Sequence, residues 1–120
     1  MRTRQQRTGD KVEQAAIKAA QAYFSEAGTT KGSGNVAHDG DIKGLPYLHV
    51  DCKGSEEPGK GRSVSKAEWR QIKAQARKRS MTPVHVGIDD DGELVALCPW
   101  DDLVVYVKMA RAQENSTHGR

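Results

Sequence analysis

Apolar side chains recur at three- and four-residue steps near the start of the chain. Val12, Ala16, Ala19, Tyr23 and Ala27 fall on one stripe, and Gly28 follows as a stop. This predicts a first helix from Thr8 to Ala27. The period then changes. From Leu48 the residues alternate, with Leu48, Val50 and Cys52 on one side of an extended segment and His49, Asp51 and Lys53 on the other. Tyr47 to Lys53 is therefore a predicted strand, preceded by a short one from Asp41 to Gly44 and a turn at Leu45-Pro46. TTKGSGNVAHDG reads as a glycine-rich loop with room for a short irregular strand, and GSEEPGKGR as a second loop.

Ser65-Lys-Ala-Glu68 is a capping box, and Val64 is placed to staple onto Trp69, so a second helix begins here and runs to about Ser80. Pro83 to Asp89 and Glu93 to Cys98 are strands joined by Asp90-Asp91-Gly92, a hairpin signal. Pro99-Trp100-Asp101-Asp102 opens a last helix with acids in its first turn, where the helix dipole favours them. Residues 1–7 read as a flexible basic arm and 115–120 as a flexible tail. The order α-β-β-β-α-β-β-α predicts a single α/β domain, a central mixed β-sheet flanked by helices.

Composition narrows this picture. Among 120 residues, 36% are hydrophobic and 5% aromatic, so the core is small and aliphatic and a second subunit would help cover it. Both cysteines lie in apolar alternating segments, HVDCK and LVALCP, which predicts buried reduced thiols rather than a disulfide framework. Two distant cysteines do not make a zinc site. No apolar run approaches the ~20 residues that span a bilayer, and MRTRQQRTGD has no signal core. A soluble, cytoplasmic protein is expected.

Charge adds a partner class. The net charge is +3 but unevenly placed, with Arg2, Arg4 and Arg7 at the start and Lys66, Arg70, Lys73, Arg77, Lys78 and Arg79 in the second helix region. Lys66, Arg70, Lys73 and Arg77 form one helical stripe opposed within that helix only by Glu68. Such stripes are usually solvated faces, but this one repels itself unless an anion neutralises it. We read Arg70, Lys73 and Arg77, with Lys60 and Arg62 in the loop between the Tyr47–Lys53 strand and this helix and Arg4 and Arg7 at the start, as contacts to a nucleic-acid backbone. No aromatic platform points to a dedicated single-strand binder.

The acids supply candidate chemistry. A hairpin through Leu45-Pro46 sets Asp41 beside Asp51, and aspartate is disfavoured in strands. Two adjacent carboxylates repel unless a cation joins them, and magnesium takes one or two carboxylates plus waters and phosphate oxygens. The backbone carbonyl of Cys52 offers another ligand. Lys53 is then placed to orient a water and neutralise charge on a phosphate. Taken by itself, the alternation is more commonly an exposed strand face with an incidental Asp51–Lys53 ion pair. His49, on the same side, reads as a surface histidine, and His38-Asp39 lacks the companions of a histidine–metal nuclease.

Asp41…Asp51-Cys52-Lys53 resembles the signature of the PD-(D/E)xK nuclease superfamily, with Gly40 where many members have proline. The succession RTGDKVEQAAIK, a GSG loop, GDIKG, LHVDCK, a capped basic helix and TPVHVGI is similar to that of archaeal-type Holliday junction resolvases and their phage-encoded relatives, over roughly residues 7 to 105. The resemblance implies a restriction-endonuclease-like domain that hydrolyses phosphodiester bonds in branched DNA during recombination or repair. Its cofactor would be Mg2+, for which Mn2+ substitutes, with no small-molecule cofactor. It assigns Glu13 as an additional acidic ligand, Asp41 and Asp51 as the metal pair and Lys53 as the catalytic lysine. Ser33 takes the place of a small polar residue near the phosphate, although the loop between Glu13 and Asp41 is longer than in typical resolvases. Gln71 and Gln75 both match a glutamine that some members carry after the lysine. Paired symmetric incisions imply a homodimer. A related nuclease acting on other DNA structures, a non-catalytic nucleic-acid-binding module and a regulatory protein without nucleic acid are the competing classes.

Overall fold

Val50, at the centre of the alternating strand, is also the centre of the fold. In this computed structural model, which describes residues 4–30, 40–52 and 64–118 (side chains over 11–30, 40–52 and 64–116), Val50 packs with Ile17, Ile42 and Val84 in a buried aliphatic cluster. Leu45, Leu48, Val86 and the free thiols of Cys52 and Cys98 surround it. Each fully buried side chain of this kind contributes roughly 1.5–3 kcal/mol.

The elements follow the expected order: α1 (Arg4–Gln21), β1 (Gly28–Thr29), β2 (Ile42–Lys43), β3 (Leu48–Cys52), α2 (Lys66–Lys78), β4 (Thr82–Ile88), β5 (Leu94–Leu97) and α3 (Trp100–His118). The strands form one mixed sheet in the order β1-β2-β3-β4-β5. β1, β2 and β3 pair antiparallel, β3 and β4 pair parallel across α2, and β4 and β5 close a hairpin. α1 lies on the Val50 side, while α2 buries Ile72 and Ala76. The α/β class is as expected. Among the described residues, no helix is long and apolar enough to cross a membrane.

Several boundaries differ from the sequence expectation. α1 begins at Arg4, so residues 4–7 continue a helix instead of forming a flexible arm, and it ends at Gln21 instead of Ala27. The end is set by closure: Tyr23 and Phe24 both donate their N–H to the Ala20 carbonyl, and Gln21 Nε2 donates to the Ala27 carbonyl at 2.9 Å. The chain thereby reverses and buries Ala27, leaving Tyr23 85% exposed rather than on the core stripe. Tyr47 belongs to the turn, with φ +69°. α3 continues through His118, past the expected start of a tail at residue 115.

α2 starts and stops by side-chain and backbone capping. Ser65 Oγ accepts the Glu68 N–H at 3.1 Å, as the capping box predicts. At the other end Ser80 donates to the Arg77 carbonyl and Met81 to the Ala76 carbonyl, the double closure of a Schellman motif. Ser80 stands at the left-handed position, φ +56°, that glycine usually fills. In the β4–β5 turn, Asp89 Oδ1 accepts the N–H groups of Asp91 and Glu93, both at 2.9 Å.

α3 touches the rest of the molecule along a narrow line. Asp102 and Tyr106, one turn apart, are its half-buried residues in the stretch 101–116, and the others there are exposed. Thr82 Oγ1 lies 2.6 Å from the Tyr106 hydroxyl, and Arg77 reaches Asp102 at 3.1 Å. Leu103, Val104, Val105, Val107 and Met109 are left open to solvent.

Candidate active site

The polar side of β3 faces α2. Strand alternation turns Val50 toward α1 and therefore turns His49 and Asp51 the other way, and the parallel register sets His85 of β4 beside Asp51. His49 and His85 are 0% and 2% exposed, so the sheet buries two imidazoles under α2 where a core would ordinarily be apolar. An open cleft of about 220 Å³ runs between strand and helix, lined by Asp51, Cys52, Glu68, Gln71, Ile72, Gln75 and His85.

Asp41 is carried to this end of β3 by the β2–β3 hairpin. Ile42 pairs with Val50, and Asp41 donates its N–H to the Val50 carbonyl at 2.7 Å. Its Oδ2 accepts the N–H of Cys52 at 2.8 Å, which holds the carboxylate within one residue of Asp51. Gly40 permits this approach. It has φ +79°, and a Cβ there would meet the Val50 carbonyl oxygen at 2.7 Å. Proline cannot adopt that φ.

Glu13 is brought in differently. It is 3% exposed, and its Oε1 accepts the Thr29 hydroxyl at 2.7 Å. Thr29 pairs with Ile42 and so lies on the α1 side of the sheet, opposite the face that Asp51 presents. Among the described residues, no three of His, Cys, Asp and Glu gather as a metal-holding group. Asp41, whose carboxylate is bonded to the Cys52 N–H, and Asp51, which lines the cleft, are hard carboxylates near one end of β3, donors of the kind magnesium takes and unlike the nitrogen and sulfur set of a zinc site. Lys53, Ser33, Lys60 and Arg62 lie outside the described residues, as do the side chains of Arg4 and Arg7.

Both candidate glutamines line the cleft, Gln71 exposed and Gln75 half-buried. Lys66, Arg70 and Lys73 are exposed on the same helix. Arg77 is different: its guanidinium is paired to Asp102, so an acid of α3 opposes the stripe in addition to Glu68. That contact, together with the Thr82 hydroxyl, holds the Asp102 carboxyl below its usual range, while partial burial pushes the other way.

His49 corrects the sequence reading: it is buried, not a surface residue. The alternation shows that it shares a side with Asp51, but nothing local to that strand says that α2 covers the side. TPVHVGI carries the better signal, since a nearly unbroken apolar strand is buried on both faces and takes His85 inside with it. Comparison with protein-family models, curated proteins and solved structures finds no match to the chain.

Proposed function

We propose that this protein is a magnesium-dependent endonuclease that hydrolyses phosphodiester bonds in branched DNA, with a four-way junction as its preferred substrate. The observation that carries the reading is the hydrogen bond from the Cys52 N–H to Asp41, which holds that carboxylate one residue from Asp51, itself lining a cleft under a helix whose Arg70 and Lys73 are exposed. Asp41, Asp51 and the Cys52 carbonyl would hold magnesium, which when bound would supply Lewis acidity toward a phosphate. Lys53 orients the attacking water and neutralises charge on the phosphate. Arg70 and Lys73 grip the backbone without reading sequence. The solvent-exposed apolar run of α3 supports a homodimer, which sets two sites for paired cuts. The protein acts in the cytoplasm, in recombination or repair.

The test is a cleavage panel of four-way junction, fork, flap and linear duplex, with magnesium and with chelator. Paired cuts in the junction that vanish with chelator are expected. Cutting confined to flap or duplex would move the substrate but keep the chemistry, and binding without any cutting would make this a nucleic-acid-binding module.

A further inference from the structure

We propose that His49 is a positioning residue for Asp51, fixed in one tautomer by Arg79. The inference rests on the nuclease reading for what Asp51 is positioned to do. His49 is wholly enclosed between the sheet and α2. Its Nδ1 lies 2.8 Å from Nη1 of Arg79, the residue that caps the C-terminus of α2. A guanidinium has donors and no acceptor. Nδ1 is therefore the acceptor, and the ring proton resides on Nε2.

That assignment gives the N–H a direction. Nε2 lies 3.6 Å from Oδ2 of Asp51 and makes no hydrogen bond among the described residues. The separation is too short for a water to bridge the two atoms with ordinary hydrogen bonds. A buried donor left unbonded is costly, so its placement against a carboxylate calls for a reason. The backbone supplies rigidity, because His49 and Asp51 are alternate residues of one strand and share a face. A small rotation of the Asp51 carboxylate closes the contact. The N–H then restrains Oδ2 and leaves Oδ1 as the oxygen offered to a cation. An apolar side chain would fill the same space but could not restrain the carboxylate.

Two measurements test this. Long-range proton–nitrogen correlation of the imidazoles, made without metal on the wild type and Asp51→Asn, reads the tautomer. A bare Nδ1 and a protonated Nε2 whose signal moves in Asp51→Asn are expected. A protonated Nδ1, or an Nε2 signal indifferent to Asp51→Asn, would overturn the proposal. The second is manganese affinity by titration calorimetry. His49→Leu should bind about 10- to 100-fold more weakly, and His49→Gln, whose amide places an N–H near the same point, should recover most of the loss. Wild-type affinity in His49→Leu, or a His49→Gln variant that recovers nothing, also counts against it. If His49→Leu does not fold, the tautomer measurement and His49→Gln decide. A wild-type protein that holds no manganese yet shows the expected tautomer would sink the nuclease reading and leave the His49–Asp51 contact standing.

Discussion

Arg77 and Asp102, 25 residues apart in sequence, are joined by two guanidinium–carboxylate contacts of 3.1 and 3.5 Å that fasten α3 to α2. Because the Asp102 pKa is lowered in the folded chain, its stabilisation is present above the unfolded carboxylate value of about 3.9 and is lost as pH falls through the folded value. Asp102→Asn should cost roughly 0.2–1 kcal/mol at neutral pH, as solvent-exposed pairs do. The gap in urea midpoint between variant and wild type should close as pH drops below about 4. A gap that persists in acid would assign the cost to packing rather than charge.

The same pairing divides the basic stripe. Arg70 and Lys73 have no comparable acid from α3 in the contacts described, so each, if it meets a phosphate, should contribute about 0.9 to the log–log salt slope of DNA binding. Arg70→Gln and Lys73→Gln should each flatten that slope. Arg77→Gln should change it less and lower thermal stability more. Equal slopes in wild type and the Arg70→Gln/Lys73→Gln double variant would return the stripe to a solvated face.

Ser80 occupies a left-handed position, which costs a residue with a Cβ about 1–2 kcal/mol. Ser80→Gly should recover about 1 kcal/mol, offset in part by the greater freedom of glycine in the unfolded chain. Chemical denaturation reads this directly. A destabilised glycine variant would show that the serine hydroxyl has an unrecognised partner.

Asp51→Asn and Lys53→Ala separate cutting from holding. Each should slow magnesium-dependent cleavage by about 10²–10³-fold while junction binding without magnesium stays near wild type. Asp51 is 30% exposed at its side chain, so a large loss of fold is not expected from the isosteric change. Robust cutting by purified Asp51→Asn would remove this strand from the active site.

The solvent-exposed face of α3 should be where two copies meet. Val107, 61% exposed, lies mid-helix beside Leu103 and Val104, and Val107→Glu would set like charges against each other in a two-fold contact. Sedimentation should show a dimer for the wild type and a monomer for Val107→Glu, with the melting temperature little changed. A monomeric wild type at micromolar concentration rules this seam out.

Short-range signals explain what was legible in the sequence. The capping box at Ser65 and Glu68, the Asp89–Gly92 turn and the extended strand at β3 are written within a few residues, and all are present in the fold. β1 is two residues long, too short for any periodicity to reveal. The β2–β3 pairing that carries Asp41 to the Cys52 N–H followed from the hairpin. The burial of His49, its contact with Arg79 and the Arg77–Asp102 pair all depend on where α2 and α3 dock, and docking is set by long-range packing.

The parallel pairing of β3 with β4 orders events in time. The β4–β5 hairpin closes across a tight turn, on a scale of about 1–10 μs for such units. β3 meets β4 only after residues 53–81 have been drawn into a closed loop, and that closure must be completed before its contacts repay it. Asp51 and His85 are register partners across this late seam. A chain emerging from the ribosome thus carries Asp41 and Asp51 before it carries the strand that sets His85 beside Asp51.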